Sequence, residues 1–253
     1  MKTLHTYHNE ILEEIEKHIA DDNVPLERDG FRYIGTTKSV YFLRAADFRR
    51  IFIDFAKRHP DLTTTEFVAL LDTLSLGKTY NEFAAVGLLL GVYPKLRVVL
   101  DPHSLDRWLA HAEGWAEVDV ICQLNFTADE VLANWETWKD LLTAFAESEN
   151  TCKRRASLVL LTKPLRESDD SRLADLAFAN TDKLKGEKDK LIAKAVSWIL
   201  RSLIKYHRTE VEQYLDVNAA TLPRIAVRET RRKLTEGVKR RTPNMVDSVR
   251  NTA

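Results

Sequence analysis

Residues that interrupt regular structure are scarce in this chain. Eight glycines and seven prolines in 253 residues exclude a collagen-like repeat, a low-complexity linker protein and a turn-rich β-sandwich. Cysteine is rarer still. Cys122 and Cys152 lack CxxC spacing, so they support neither a disulfide framework nor a zinc site and are expected to be reduced, buried thiols of a cytosolic protein. The longest uncharged, largely apolar run, Phe83 to Pro94, falls short of the ~20 residues of a membrane span. The N-terminus lacks the apolar stretch and cleavage site of a signal peptide, so a cytoplasmic protein without a membrane partner is expected. Excess charge of one sign is also missing. Lys and Arg together number 38, as do Asp and Glu, which argues against a domain that holds nucleic acid by bulk charge. There is no glycine-rich phosphate loop, no GxSxG elbow and no HExxH pair. The seven histidines are scattered without metal spacing, and no metal is expected.

What remains is helix-forming sequence, with 44% hydrophobic and 30% charged residues, and the fold class expected is all-α. Apolar side chains recur at helical spacing, as in Phe48, Ile51, Phe52, Phe55 and in Leu191, Ala195, Ile199, Leu203. The pattern predicts helices near 4–20, 45–58, 65–76, 79–91, 103–112, 115–123, 128–147, 151–162, 170–181, 188–206, 208–216 and 222–235. Thr63-Thr-Thr-Glu66 and Thr127-Ala-Asp-Glu130 read as capping boxes. Pro60, Pro94, Pro102, Pro164 and Pro223 fall between periodic stretches. Gly87-x-x-x-Gly91 is most simply a close helix–helix contact, and Phe31-Arg-Tyr-Ile34 is the one short strand candidate. Helices this short and this many suit an α-solenoid or a compact bundle, and the spacing of Pro25, Pro60 and Pro94 fits helix-pair repeats. A single domain over 1–235 is expected, followed by a loose basic tail over 236–253.

Charge is distributed unevenly. Between Pro223 and Arg241 eight bases face two acids, while the first helix is acidic through Glu10, Glu13, Glu14 and Glu16. Lys194, Trp198, Arg201, Lys205 and Arg208 form one stripe opposite Ile192, Val196, Ile199 and Leu203. A tryptophan in a basic stripe is out of place on a purely solvated face. Trp115 and Asp119, one turn apart, share a helix face. An aspartate among Val118, Val120 and Ile121 is by default a carboxylate satisfied by a neighbouring arginine. The sharper reading is a carboxylate that stabilises a developing sugar cation beside indole faces, a chemistry carried out on nucleic acid.

Four segments carry a resemblance: Trp115-Ala-Glu-Val-Asp119, Ser148-Glu-Asn-Thr-Cys-Lys-Arg-Arg155-Ala, Lys194-Ala-Val-Ser-Trp198-Ile-Leu-Arg201 and Leu222-Pro-Arg-Ile-Ala-Val-Arg228-Glu229. In order and spacing they resemble the HEAT-like-repeat DNA alkylation repair glycosylases of the AlkD type. The resemblance implies a C-shaped solenoid of antiparallel helix pairs and excision of cationic N3- and N7-alkylpurines from double-stranded DNA without a metal or organic cofactor. It implies Asp119 as the catalytic carboxylate, Trp115 and Trp198 as the aromatic residues beside the lesion-bearing sugar, and Arg155 as the arginine near the scissile backbone. Arg154, Lys194, Arg201, Lys205, Arg228 and Arg231 are the expected DNA-binding residues, and a monomer is the expected form. Gly114 stands where the family often has a first tryptophan, and Cys152 where an aromatic residue is common. Tyr33 and Tyr41 are candidates for a groove-lining tyrosine. The competing readings are a helical-repeat protein that binds DNA without catalysis, and a protein–protein scaffold.

Overall fold

The computed structural model describes residues 4–19 and 34–237. Over these residues the chain folds as α1 (Leu4–Lys17), α2 (Ala45–Arg58), α3 (Thr64–Ser75), α4 (Tyr80–Val92), α5 (Pro94–Val98), α6 (Ser104–Leu109), α7 (Trp115–Cys122) and α8 (Ala128–Ala133). There follow α9 (Trp135–Ala146), α10 (Thr151–Val159), α11 (Pro164–Glu167), α12 (Ser171–Leu184), α13 (Lys190–Leu203), α14 (Arg208–Asn218) and α15 (Arg224–Glu236). A single bridge between Ser39 and Thr79 is the only β pairing among the described residues. The architecture is an all-α helical-repeat solenoid. No described helix is long and apolar enough to cross a membrane. Pro25, Tyr33, the strand candidate apart from Ile34, and the tail from 238 onward lie outside the described residues.

Helices α2, α4, α7, α10, α13 and α15 pack one upon the next in a single layer. A second layer, α1, α3, α6, α9, α12 and α14, covers it. Helix α4 lies between α2, α3 and α7, and accordingly buries Phe83, Ala84, Ala85, Val86, Leu89 and Leu90 around most of its circumference. Helix α13 is amphipathic: Ile192, Ala195, Val196, Ile199, Leu200 and Leu203 are buried, which leaves Lys194 on the open side.

The start signals hold. Thr63 with Glu66 and Thr127 with Glu130 form reciprocal capping boxes, and Thr79 with Glu82 adds a third. Three expectations need correction. The single helix expected over 128–147 is broken at Asn134, whose backbone leaves the helical region (φ −126°, ψ 47°) and whose side chain accepts a hydrogen bond from Thr137 Oγ1 at 2.8 Å. An asparagine that bonds locally offers the chain an alternative to continuing the helix. Pro94 and Pro164 are not merely boundaries, because each occupies the first turn of a short helix, where the missing N–H costs nothing. Helix α13 ends at Leu203, short of the 188–206 expected, so Lys205 and Arg208 fall off the stripe expected from Lys194 to Arg208.

Gly87 of the glycine pair does mark a close contact, whereas a β-carbon on Gly91 would meet nothing nearer than the Asn125 side chain at 3.4 Å. A β-carbon built on Gly87 would lie 2.1 Å from the Val120 carbonyl oxygen on α7. Backbone, not a flexible side chain, occupies the space, so Gly87→Ala must push α4 away from α7. The expected cost is about 3 kcal/mol, which lowers the melting temperature of a chain this size by roughly 6–12 °C. Thermal denaturation checks it, and an unchanged midpoint would mean that the two helices are not seated as described.

Candidate active site

Helix α7 is capped at Gly114 because Glu117, fully buried, reaches back to accept hydrogen bonds from the backbone N–H groups of Glu113 (2.6 Å) and Gly114 (3.1 Å). The same carboxylate takes the Lys38 ammonium at 2.8 Å and the Thr36 hydroxyl at 3.2 Å. Glu113 in turn accepts from the Thr37 N–H and the Thr36 and Thr37 hydroxyls. A strap over residues 35–38 is thereby fastened across the first turn of α7. Backbone meets backbone here, since a β-carbon on Gly114 would lie 2.3 Å from the Ile34 carbonyl oxygen and 2.5 Å from the Gly35 carbonyl carbon. Gly35 adopts φ 78°, a left-handed conformation that favours glycine. The absence of a tryptophan at position 114 therefore has a steric cause: the strap occupies the volume that an indole there would need.

One turn into α7 the Asp119 carboxylate is held by Arg155 of α10. Nε donates to Oδ1 at 3.0 Å and one terminal nitrogen to Oδ2 at 2.8 Å, the parallel two-point geometry of a guanidinium–carboxylate pair. The other terminal nitrogen donates to the Leu191 carbonyl at the start of α13, at 2.7 Å. Arg155 is only 4% exposed, and it ties α7, α10 and α13 together. Burial pushes the Asp119 carboxyl above the usual carboxylate range, and the Arg155 bonds draw it part of the way back. Both oxygens accept from the guanidinium, so the pair is held in its ionised form.

Trp115, Asp119, Arg155, Leu191, Lys194, Trp198, Arg201, Ile225 and Glu229 line one pocket of about 280 Å³. The four residues expected to act together, drawn from α7, α10 and α13, thus converge. Trp198 is half-buried, its ring packed against the core while it lines the pocket. On the far wall stands a second acid that sequence reasoning had left without a role. Glu229 of α15 accepts the Ser197 hydroxyl at 2.8 Å and lies 3.5 Å from the Arg201 guanidinium, whose Nε also donates to the Ser197 carbonyl. Both acids have a guanidinium on the neighbouring helix, so the pocket is walled by two acid–arginine pairs with an indole beside the first.

Of the expected DNA-binding residues, Lys194 and Arg201 line this pocket, and Arg154, Lys205, Arg228 and Arg231 do not. Arg154 is engaged elsewhere, with Glu187 and with the carbonyls of Ser148 and Glu149. Lys205 donates to the Arg166 carbonyl at 2.7 Å. Arg228 and Arg231 are exposed on α15. Tyr41 lines a separate, largely apolar pocket with Phe42, Phe48 and Tyr80. Cys152 and Cys122 are buried free thiols, and burial raises Cys152 to about 11, so neither is a ready nucleophile. Among the described residues no group of His, Cys, Asp and Glu is arranged to hold a metal ion.

A helical-repeat protein with an arginine-paired carboxylate and two tryptophans lining one pocket is the class that fold and site define. The chain belongs to the DNA alkylation repair enzyme family, which it matches over residues 9–234. The match spans every helix from α2 to α14, α1 from its second turn onward, and all but the last two residues of α15. No curated protein matches the chain.

Proposed function

We propose that the protein is a DNA glycosylase that hydrolyses the N-glycosidic bond of cationic alkylated purines, of the 3-methyladenine and 7-methylguanine type, in duplex DNA. The observation that carries the reading is the Asp119 carboxylate, fixed by Arg155 and facing one pocket with Trp115 and Trp198. An alkylated purine already bears the charge that weakens its bond to the sugar. When that bond breaks, its electron pair neutralises the base, and no protonating acid is needed. The sugar is left with oxocarbenium character, which a preorganised carboxylate stabilises and which indole faces attract. Water then bonds to the sugar carbon and passes its proton to Asp119 or to solvent. The products are a free alkylpurine and an abasic site.

Incubation with methylated duplex DNA tests the reading. Free 7-methylguanine and 3-methyladenine are expected, and their absence would leave DNA binding without catalysis as the better account. One observation favours that second reading: an aspartate fully paired with a buried arginine is also what an inert structural ion pair looks like.

The pH profile distinguishes the two. A carboxyl raised above its ordinary value of 3.8 takes up its proton earlier as the medium is acidified. The acid limb of kcat/KM should therefore fall at a pH above 3.8, with activity kept on the alkaline side. A rate that stays flat down to pH 4 would show that Asp119 is not the group that must be ionised.

A further inference from the structure

Beyond the Arg201 wall of the pocket, toward the C-terminal ends of α11 and α13, positive charge outnumbers the acids near it. The Lys233 ammonium of α15 donates to the Arg201 carbonyl at 2.6 Å, and Lys205 donates to the Arg166 carbonyl at 2.7 Å. Cations at carbonyl-rich helix ends are ordinary capping, so those two contacts alone imply no ligand. Arg166 does not fit that explanation. Its side chain is half-buried between α11 and its neighbours, yet its guanidinium makes no hydrogen bond or ion pair among the described residues. The nearest acid in sequence, Glu167, is occupied by the Ala128 N–H at 3.0 Å and lies 3.8 Å from Lys163. Glu229 is the acid beside Arg201, and it is shared with Ser197. Burial lowers Arg166 and Arg201 from the usual arginine value, and burial together with those two neighbouring charges lowers Lys233. Three partly desolvated cations, offset only by Glu229 beside Arg201 and by Glu167, which acts on Arg166 through space without an ion-pair contact, are arranged at a cost to the free protein. That cost is relieved when an anion with several acceptor oxygens sits among them.

We propose that Arg166, Lys233 and Arg201 form a binding site for a phosphodiester group of the DNA backbone, next to the Asp119 pocket and separate from its chemistry. The proposal rests on DNA being the ligand of the pocket, and it is independent of base release. A guanidinium presents a flat fork to two phosphate oxygens, and the Lys233 ammonium supplies a point charge to a third. The site would fix the register of the duplex relative to Asp119 without reading any base.

Arg166→Gln is the variant of choice, because this side chain has no hydrogen bond or ion pair to lose and the variant should melt no lower than wild type. Binding to an undamaged duplex is measured by salt titration for wild type, Arg166→Gln and Lys139→Gln, the last removing one positive charge from α9 in the covering layer. Arg166→Gln should weaken binding roughly tenfold and reduce the slope of log K against log salt by about 0.9, with Lys139→Gln unchanged. An equal loss in both variants, or none in Arg166→Gln, overturns the proposal. A second arm follows melting in inorganic phosphate. A rise in wild type that Arg166→Gln lacks shows that the site also takes free phosphate, whereas no rise in either, with the slope change intact, assigns it to the DNA backbone alone. The glycosylase reading fails separately. If wild type releases no alkylpurine while Arg166→Gln still lowers the slope, the phosphate site stands; if release proceeds and the slope does not move, the phosphate site falls.

Discussion

Asp119→Asn is expected to slow alkylpurine release by about 10²–10³, roughly 3–4 kcal/mol of transition-state stabilisation, with DNA affinity kept or slightly raised. The amide has the size of the carboxylate and removes its charge. The sugar cation would then develop against a neutral dipole, while the DNA phosphates would no longer face a carboxylate. Single-turnover release from methylated duplex, with binding measured on the same preparation, separates the two effects. Release at the wild-type rate would sink the catalytic assignment of Asp119 and leave a DNA-binding role for the pocket.

The second large effect is on stability. Arg155→Met keeps an apolar stem between α7, α10 and α13 but strips both hydrogen bonds from Asp119 and the donor from the Leu191 carbonyl. A nearly buried carboxylate left unpaired costs about 3–5 kcal/mol at neutral pH. The sign of the pH dependence follows from burial. Asp119 already titrates above its ordinary value, and without Arg155 it rises further. The deficit relative to wild type is therefore largest where the carboxyl must be ionised and shrinks as the pH falls and the proton is taken up. Denaturant titrations at pH 7 and pH 5 should show that narrowing, and Arg155→Met combined with Asp119→Asn should recover most of the loss at pH 7. A deficit that is independent of pH, or that persists in the double variant, would place the cost in packing instead of charge.

Much of the fold was legible because its signals are local. The Thr63 and Thr127 boxes, the apolar spacing along α2 and α13, and the small residues at the α4–α7 contact each lie within a few turns of chain. The break at Asn134 was not legible, because the apolar pattern runs across it and only the asparagine's own hydrogen bonding reveals the interruption. The site divides in the same way. Trp115, Asp119, Arg155 and Trp198 sit at spacings that could be matched segment by segment. The Glu229–Ser197–Arg201 wall and the Lys38–Glu117 clasp could not be read so, since they join residues with no shared local pattern. One signal was available and unused: Gly114-x-x-Glu117 has the spacing of the threonine boxes, with the side-chain half missing. Arg154 and Lys205 show the converse, where a basic residue beside Arg155 or in line with the Lys194–Arg201 stripe bonds a main-chain carbonyl away from the pocket.

The strap across α7 bears on the order in which the molecule assembles. Most hydrogen bonds between helices join residues 32 to 39 apart, as Arg97 to Glu130 and Asn180 to Leu142 do, so they form as each repeat docks on the one before. The bonds from Thr36, Thr37 and Lys38 to α7 and the turn before it span 73 to 81 residues, a reach shared among the described side chains only by His8 and Glu82. Contacts that distant require the entropy of a long loop to be given up first. The turn that carries Trp115 and leads to Asp119 can therefore be locked only after the N-terminal repeats have closed over it. Loosening of that first pair of repeats would slacken the acid-bearing turn while every residue lining the pocket still had its immediate neighbours, so the reactive geometry is coupled to the integrity of the end of the chain farthest from the basic pole.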